Sequence, residues 1–280
     1  MSLWRDYPGA TERRVRLLYR DAVWSPQLRN HRRVLIALPP SYDSGNRRYP
    51  VLYMQDGQNL FDPRTSFAGH WRLDETLGEQ AERGIEAIVV GVPHAGKRRI
   101  AEYSPFVDAK NGGGRGSRYL TFLADTLKPR VDAAFRTLTA SDSTAIAGSS
   151  MGGLISLYAL FSHRDTFGIA GALSPALWFA DGRIFDYIRS SATPPGRIHL
   201  DVGTAEGARA VGDVRRARDL LLHKGYRQGE TLAYVEELEA GHEEAAWARR
   251  LSAAFPFLMG AGPAPSLRSS PIEDSADVAS

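Results

Sequence analysis

One stretch of this chain constrains its fold more than any other: Thr144-Ala-Ile-Ala-Gly-Ser-Ser-Met-Gly-Gly153. An apolar strand runs into Gly148-Ser149-Ser150-Met151-Gly152, and an apolar helix, Leu154 to Phe161, follows at once. A G-x-S-x-G pentapeptide alone is common and marks only a glycine-rich turn. Between a strand and a helix it is the signature of a nucleophile elbow. Glycines two residues either side of Ser150 let neighbouring backbone pass close to a sharp turn. Ser150 is then lifted to the carboxyl edge of a sheet at a helix N-terminus, with the Met151 amide aimed where an oxyanion would form.

The rest of the chain fits a sheet that could carry such a turn. Short, β-branched runs are expected as strands at Arg33 to Leu38, Val51 to Met54, Ala87 to Val92, Thr144 to Ala147, Ile169 to Leu173, Ile198 to Val202 and Tyr234 to Leu238. Helical stripes lie between them, such as Leu120, Leu123, Leu127 and Val131 from about Ser117, and Val214, Ala217, Leu221 and Leu222 in Gly212 to His223. Alternation of this kind predicts an α/β fold, with a mostly parallel central sheet and helices on both faces. Residues 1–260 read as one domain. From 261 to 280 the composition turns to Ala, Pro, Ser and acids without apolar periodicity, which predicts a disordered tail.

Composition mainly excludes. The 280 residues contain no cysteine, so disulfides, thiolate metal sites and a cysteine nucleophile are ruled out. Met1 to Asp21 has no apolar core of a signal peptide, and no run reaches the ~18 apolar residues of a membrane helix, so a cytoplasmic protein without membrane contact is expected. A net charge of +3 from 35 basic and 32 acidic residues is too small to argue for nucleic acid. The densest basic group, Lys97, Arg98 and Arg99 with Arg115 and Arg118 beyond, reads either as a solvated face or as a rim for an anionic substrate.

A serine hydroxyl is a weak nucleophile until a base sits within hydrogen-bond reach. On this type of fold the chain order is serine, acid, histidine. His31, His70, His94 and His163 come before Ser150 or too soon after it, and His199 lies inside a strand. His223 belongs to an amphipathic helix, whereas His242 follows the last strand through Ala240-Gly241, where a loop can project its ring over Ser150. The acid should follow the strand Ile198 to Val202. Asp201 and Glu206 compete, and Glu206 is favoured because a loop carboxylate can turn back toward His242. For the second oxyanion donor, the strand Val51 to Met54 leads into Asp56-Gly57-Gln58-Asn59, a turn in which Gly57 would take φ > 0 and Gln58 would offer its amide.

Five segments taken together resemble one known family. They are Tyr49 to Phe61 (YPVLYMQDGQNLF), Glu102 to Phe106 (EYSPF), Ala145 to Leu154 (AIAGSSMGGL), Leu173 to Trp178 (LSPALW) and Asp201 to Glu206 (DVGTAE). The family is that of esterase D, siderophore esterases, feruloyl and acetyl-xylan esterases and mycolyltransferases. The resemblance runs from about Arg29 to Phe257 and implies an α/β-hydrolase fold with little or no cap domain. It also implies a catalytic Ser150, Glu206 and His242, with the Gln58 and Met151 amides as oxyanion hole. Gln55 departs from the pattern, standing where many relatives carry His or Asp, and so does Ser162-His163-Arg164-Asp165, where a His-Pro-Glu turn is usual.

Two further motifs carry little weight. Gly112-Gly-Gly-Arg-Gly116 lacks the strand before it and the Lys-Ser/Thr after it that a phosphate loop needs, and reads as a flexible surface loop. His242-Glu243-Glu244 begins like a zinc helix, but Ala246 stands where a second ligand would be, so no metal is implied and no cofactor is required. The expected activity is serine carboxylic ester hydrolysis of a small-acyl, aromatic-acyl or siderophore-type ester. Trp178 is either a wall of the substrate cleft or a core residue. An acyltransferase would use the same triad, and a non-catalytic binding protein would lack one of its members. Oligomeric state is not encoded in any of these patterns.

Overall fold

The computed structural model describes residues 4–8, 14–66 and 69–262. In chain order its strands begin with β1 (Arg5–Asp6), β2 (Arg16–Ser25) and β3 (Asn30–Leu38), an antiparallel meander with a bulge between Arg20 and Val23. Then come β4 (Val51–Gln55), helix α1 (Leu73–Glu82), β5 (Ile88–Val92), the short α2 (Arg99–Glu102) and a two-stranded ribbon, β6 (Val107–Asp108) with β7 (Gly112–Gly113). A long helix follows, α3 (Gly116–Thr121) passing through a π-helical stretch, Phe122–Leu127, into α4 (Lys128–Ala134). The remainder alternates: β8 (Thr144–Ser149), α5 (Met151–Ser162), β9 (Ile169–Leu173), α6 (Arg183–Ser190), β10 (Arg197–Gly203), α7 (Ala208–His223), β11 (Leu232–Glu237) and α8 (Glu244–Leu258).

Nine strands form one sheet in the order β1-β2-β3-β5-β4-β8-β9-β10-β11, parallel from β5 onward. The central strands are buried on both faces, which is why β4, β5, β8 and β9 read as unbroken apolar runs. One face is covered by α3 to α7, through residues such as Leu123, Leu154, Ile184 and Val214. The other is covered by α1 and α8, through Leu73, Leu77, Leu251 and Phe255. The order of connection reverses between β4 and β8, so the loops after these two strands part and leave a crevice at the sheet's carboxyl edge. This is the α/β-hydrolase fold.

The structure also corrects the sequence reading. β2 was not foreseen, because Arg16, Arg20 and Asp21 interrupt the apolar pattern around Leu17, Leu18 and Val23, which are buried on the two faces of the sheet. Gly112 to Gly116 is not a flexible loop. Gly112 and Gly113 pair with Val107 and Asp108, and a Cβ on Gly113 would lie 2.2 Å from the Phe106 carbonyl oxygen. α7 starts at Ala208 rather than Gly212. The expected tail lies outside the described residues from 263 onward. No described helix is long and apolar enough to cross a membrane.

Candidate active site

The turn after β8 holds Ser150 at φ 55°, ψ −119°, a conformation that costs a non-glycine residue roughly 1–3 kcal/mol. Three hydrogen bonds hold it there: the Ser150 amide donates to the Leu173 carbonyl (2.9 Å), and the Ser150 carbonyl accepts from the Leu154 and Ala176 amides (3.0 Å each). The flanking glycines are required by packing. A Cβ on Gly148 would meet Gln55 Cγ at 2.7 Å, and one on Gly152 would meet Gln55 Cβ at 3.0 Å. Gln55, the odd residue in the sequence comparison, is therefore the floor of the elbow. Its Oε1 accepts from Tyr119 Oη, while its buried Nε2 has no protein partner. Met151 opens α5, so its amide has no helical carbonyl to donate to and is open to an oxyanion.

Beside the elbow, after β4, lies the turn that carries Gln58. The expected conformation of Gly57 is corrected here: Asp56, not Gly57, takes the left-handed conformation (φ 51°, ψ 46°). Glycine is needed at 57 because a Cβ would sit 2.6 Å from Gly91 C and Val92 N at the end of β5. The Asp56 carboxylate accepts two hydrogen bonds from Arg99, from Nε at 2.9 Å and from a terminal nitrogen at 2.8 Å, and the guanidinium lies over the Tyr103 ring. Arg99 thus belongs to the scaffold of the site, whereas Lys97, Arg98, Arg115 and Arg118 are exposed. The Gln58 side chain accepts from the His94 amide (3.2 Å) and donates to Asn59 (3.1 Å), which fixes the turn around its backbone N–H.

The two remaining candidates come from the loops after β10 and β11. His242 Nδ1 lies 2.7 Å from Glu206 Oε2. The Glu206 side chain is 2% exposed and that of His242 45%, so a buried carboxylate holds an imidazole that faces solvent. The other carboxylate oxygen of Glu206 accepts from Ser174 Oγ (2.5 Å), the Gly203 amide (2.8 Å) and Arg250 (3.4 Å). Burial would raise the Glu206 carboxyl, but hydrogen bonds from His242, Ser174 and the Gly203 amide outweigh it and hold the group below its ordinary range. The Trp247 indole stands nearly perpendicular to the imidazole, ring centroids 4.8 Å apart, and its Nε1 donates to Ser174 Oγ.

Asp201, the rival acid, does not face His242. It is fully buried, accepts from the Ser174 amide (3.1 Å), and is paired with His199 (2.7 Å) and Arg250 (3.1 Å). His223 is exposed at the far end of α7, a 16-residue helix about 22 Å long whose first turn abuts the site.

Two clefts meet at these residues. One, of about 400 Å³, is lined by Ser150, Gln58, Asp56, Arg99, Glu244 and Trp247 among others. The second, of about 360 Å³, is lined by His242, Glu206, Ser174, Trp178 and the start of α7. Trp178 is 43% exposed, so it is a cleft wall rather than a core residue. Trp247 lines the first cleft and touches His242, which lines the second. Among the described residues no hydrogen bond joins Ser150 to His242, a contact that in unliganded serine enzymes often tightens only around substrate. Nor do the described residues contain a cluster of His, Asp or Glu able to hold a metal.

Several site residues escaped the sequence reading. Ser174 (φ 41°) gathers Trp247, Arg250 and Glu206 around its hydroxyl, while its amide donates to Asp201. Arg250 is fully buried among Asp201, Glu206 and Glu237. A signal for it existed: it stands with Trp247, Leu251 and Ala254 on the apolar stripe of α8, where a cation must have buried partners. Glu244, in the rejected zinc-like motif, accepts from Asn59 and Trp71 across the first cleft. Burial, with repulsion from Asp56 added, raises its carboxyl above the ordinary range despite those bonds and Arg99.

Comparison with known proteins places this architecture. The family described as "Putative esterase" matches residues 25–258. An uncharacterized protein, YbbA, of Bacillus subtilis is 24% identical over 227 residues, 76% of this chain and 87% of that one. A siderophore triacetylfusarinine C esterase of Aspergillus fumigatus is 32% identical over 142 residues, 49% of this chain and 47% of the relative, so the match spans about half of each. Among solved structures, siderophore hydrolase EstA of Aspergillus nidulans superposes with a TM-score of 0.69 at 20% identity, covering 93% of this chain and 98% of that one. With the match to the family extending over most of its length, this chain belongs to the esterase family.

Proposed function

We propose that the chain is a serine carboxylic ester hydrolase that works through an acyl-enzyme on Ser150. The observation that carries this reading is the buried Glu206 held 2.7 Å from His242 Nδ1 beside a strained serine elbow. A carboxylate on Nδ1 selects the tautomer whose Nε2 is free to accept a proton. In acylation, Ser150 Oγ bonds to the ester carbonyl carbon as its proton passes to His242 Nε2. The carbonyl electron pair moves onto oxygen, facing the Gln58 and Met151 amides. The intermediate collapses with cleavage of the carbon–alkoxy bond, and the leaving oxygen takes the proton from His242. Water then repeats the sequence: its oxygen bonds to the acyl carbon, His242 takes and returns a proton, and the carbon–Oγ bond breaks to release the acid. Glu206 stabilises the imidazolium formed in both halves.

Family membership and the half-length match to a siderophore esterase support ester hydrolysis, and the acyl half could be small, aromatic or part of a siderophore-type ester. Labelling with a fluorophosphonate, followed by peptide mass spectrometry, tests the mechanism. The expected adduct is on Ser150, with no labelling of Ser150→Ala and a large loss of labelling in His242→Ala. An adduct elsewhere, or turnover by folded Ser150→Ala, would overturn it.

A further inference from the structure

The two clefts differ in the aromatic face they offer, Trp178 being 43% exposed in one and Trp247 6% exposed in the other, and the mechanism fixes which half of an ester each must take. In the tetrahedral intermediate the reacting carbon carries Ser150 Oγ, the oxyanion, the leaving oxygen and the acyl substituent. The oxyanion points to the Gln58 and Met151 amides. The leaving oxygen must reach His242 Nε2, because that nitrogen returns its proton. His242 lines the second cleft, whose walls include Pro175, Ala176, Trp178 and Val214 together with the charged Glu206, Arg209 and Asp213. The acyl substituent is left with the cleft that Ser150 itself lines, where Asp56, Arg99 and Glu244 stand beside Trp247.

We propose, on the serine esterase reading, that the Trp178 cleft is the leaving-group site and selects esters of aromatic or other flat apolar alcohols, while the acyl half, which meets no open aromatic face, is small. The walls support this. Trp178 is 43% exposed although its ring is braced 5.8 Å from Phe179, so a rigid aromatic face stands open to be covered. Arg209 and Asp213, 4.0 Å apart, pair with each other at the lining of the same cleft, where Ala176 and Val214 add apolar surface. By contrast, the aromatic residue of the first cleft, Trp247, is 6% exposed and already packed against Trp71 and His242, so it offers an acyl ring no open face.

Two isomeric esters separate the halves: benzyl acetate carries its ring on the alcohol, methyl phenylacetate on the acyl group. The wild-type protein is expected to show kcat/KM at least about tenfold higher for benzyl acetate, since burying a ring against an aromatic wall is worth a factor of this order. Trp178→Ala should lower that ratio about tenfold. Val214→Phe, which fills the same cleft from α7, should lower it as well. Trp178 and the alcohol no longer meet after acylation, so the deacylation rate of the acetyl-enzyme should be the same from either variant. Equal kcat/KM for the two isomers, a preference for methyl phenylacetate, or a ratio insensitive to both substitutions overturns the assignment. Failure of the esterase reading looks different: Ser150 then takes no acyl adduct from either isomer.

Discussion

Asp201 and Glu206 stand five positions apart at the end of β10, and both contact Ser174 and Arg250, yet only one of them meets a histidine that faces solvent. Asp201 is enclosed by His199, Arg250 and the Ser174 amide, so its charge is fully used in holding the loop. Glu206 spends one oxygen on the same network and turns the other to His242. A carboxylate can thus be a structural anchor or a partner in proton transfer, depending on what its second oxygen faces. Arg250 joins the two, its guanidinium lying 3.1 Å from Asp201 and 3.4 Å from Glu206.

The largest effects should come from the residues this arrangement serves. Ser150→Ala and His242→Ala should each lower kcat by about 10⁴ to 10⁶, with circular dichroism unchanged, while His223→Ala stays within about twofold. An essential His223 would break the assignment of the last third of the chain. Next, Glu206→Gln should lower kcat by about 10³ to 10⁴, because an amide no longer stabilises the imidazolium. Asp201→Asn should cost less than about tenfold in kcat and instead destabilise the fold, as read from denaturant midpoints. The reverse ranking would exchange the roles of the two acids.

Arg250→Met should leave Asp201, Glu206 and Glu237 without their shared cation and cost about 3–5 kcal/mol of stability, with Arg250→Lys milder, measured by urea unfolding. Gly57→Ala should cost about 1–3 kcal/mol and lower kcat, since the added methyl pushes the Gln58 turn off the end of β5. The smallest effect concerns pH. The Glu206 carboxyl is held below its ordinary value of 4.5, so its interactions stabilise the folded state fully above the unfolded value and lose that contribution as pH falls through the folded one. The unfolding free energy of the wild-type protein should therefore fall more steeply on acidification than that of Glu206→Gln. Parallel pH dependences would show that the Glu206 network does not favour the ionised form.

The sequence by itself determined the architecture and the elements on which the site stands. Period-two and unbroken apolar runs set β3, β4, β5 and β8 to β11, and the strand–GSSMG–helix passage placed Ser150, because these signals depend only on neighbours along the chain. Chain order narrowed the base to His223 and His242 and the acid to two residues, and the place of His242 in a loop after the last strand, against His223 in an amphipathic helix, decided between the two histidines. β2 stayed hidden because Arg16, Arg20 and Asp21 break up the short apolar run of Leu17 and Leu18, so that it matches neither a period-two nor an unbroken pattern. What only the tertiary structure decided is what each side chain faces: Asp201 toward Arg250, Glu206 toward His242, Arg99 toward Asp56, and Trp178 toward an open cleft. These partners are separated by 36 to 49 positions of sequence and meet only because β4, β5, β10 and β11 end, and α8 begins, at one edge of the sheet. Electrostatic and hydrogen-bonding partners act over a few ångströms of space, and residue spacing along a chain carries no record of which distant groups folding will bring within that range.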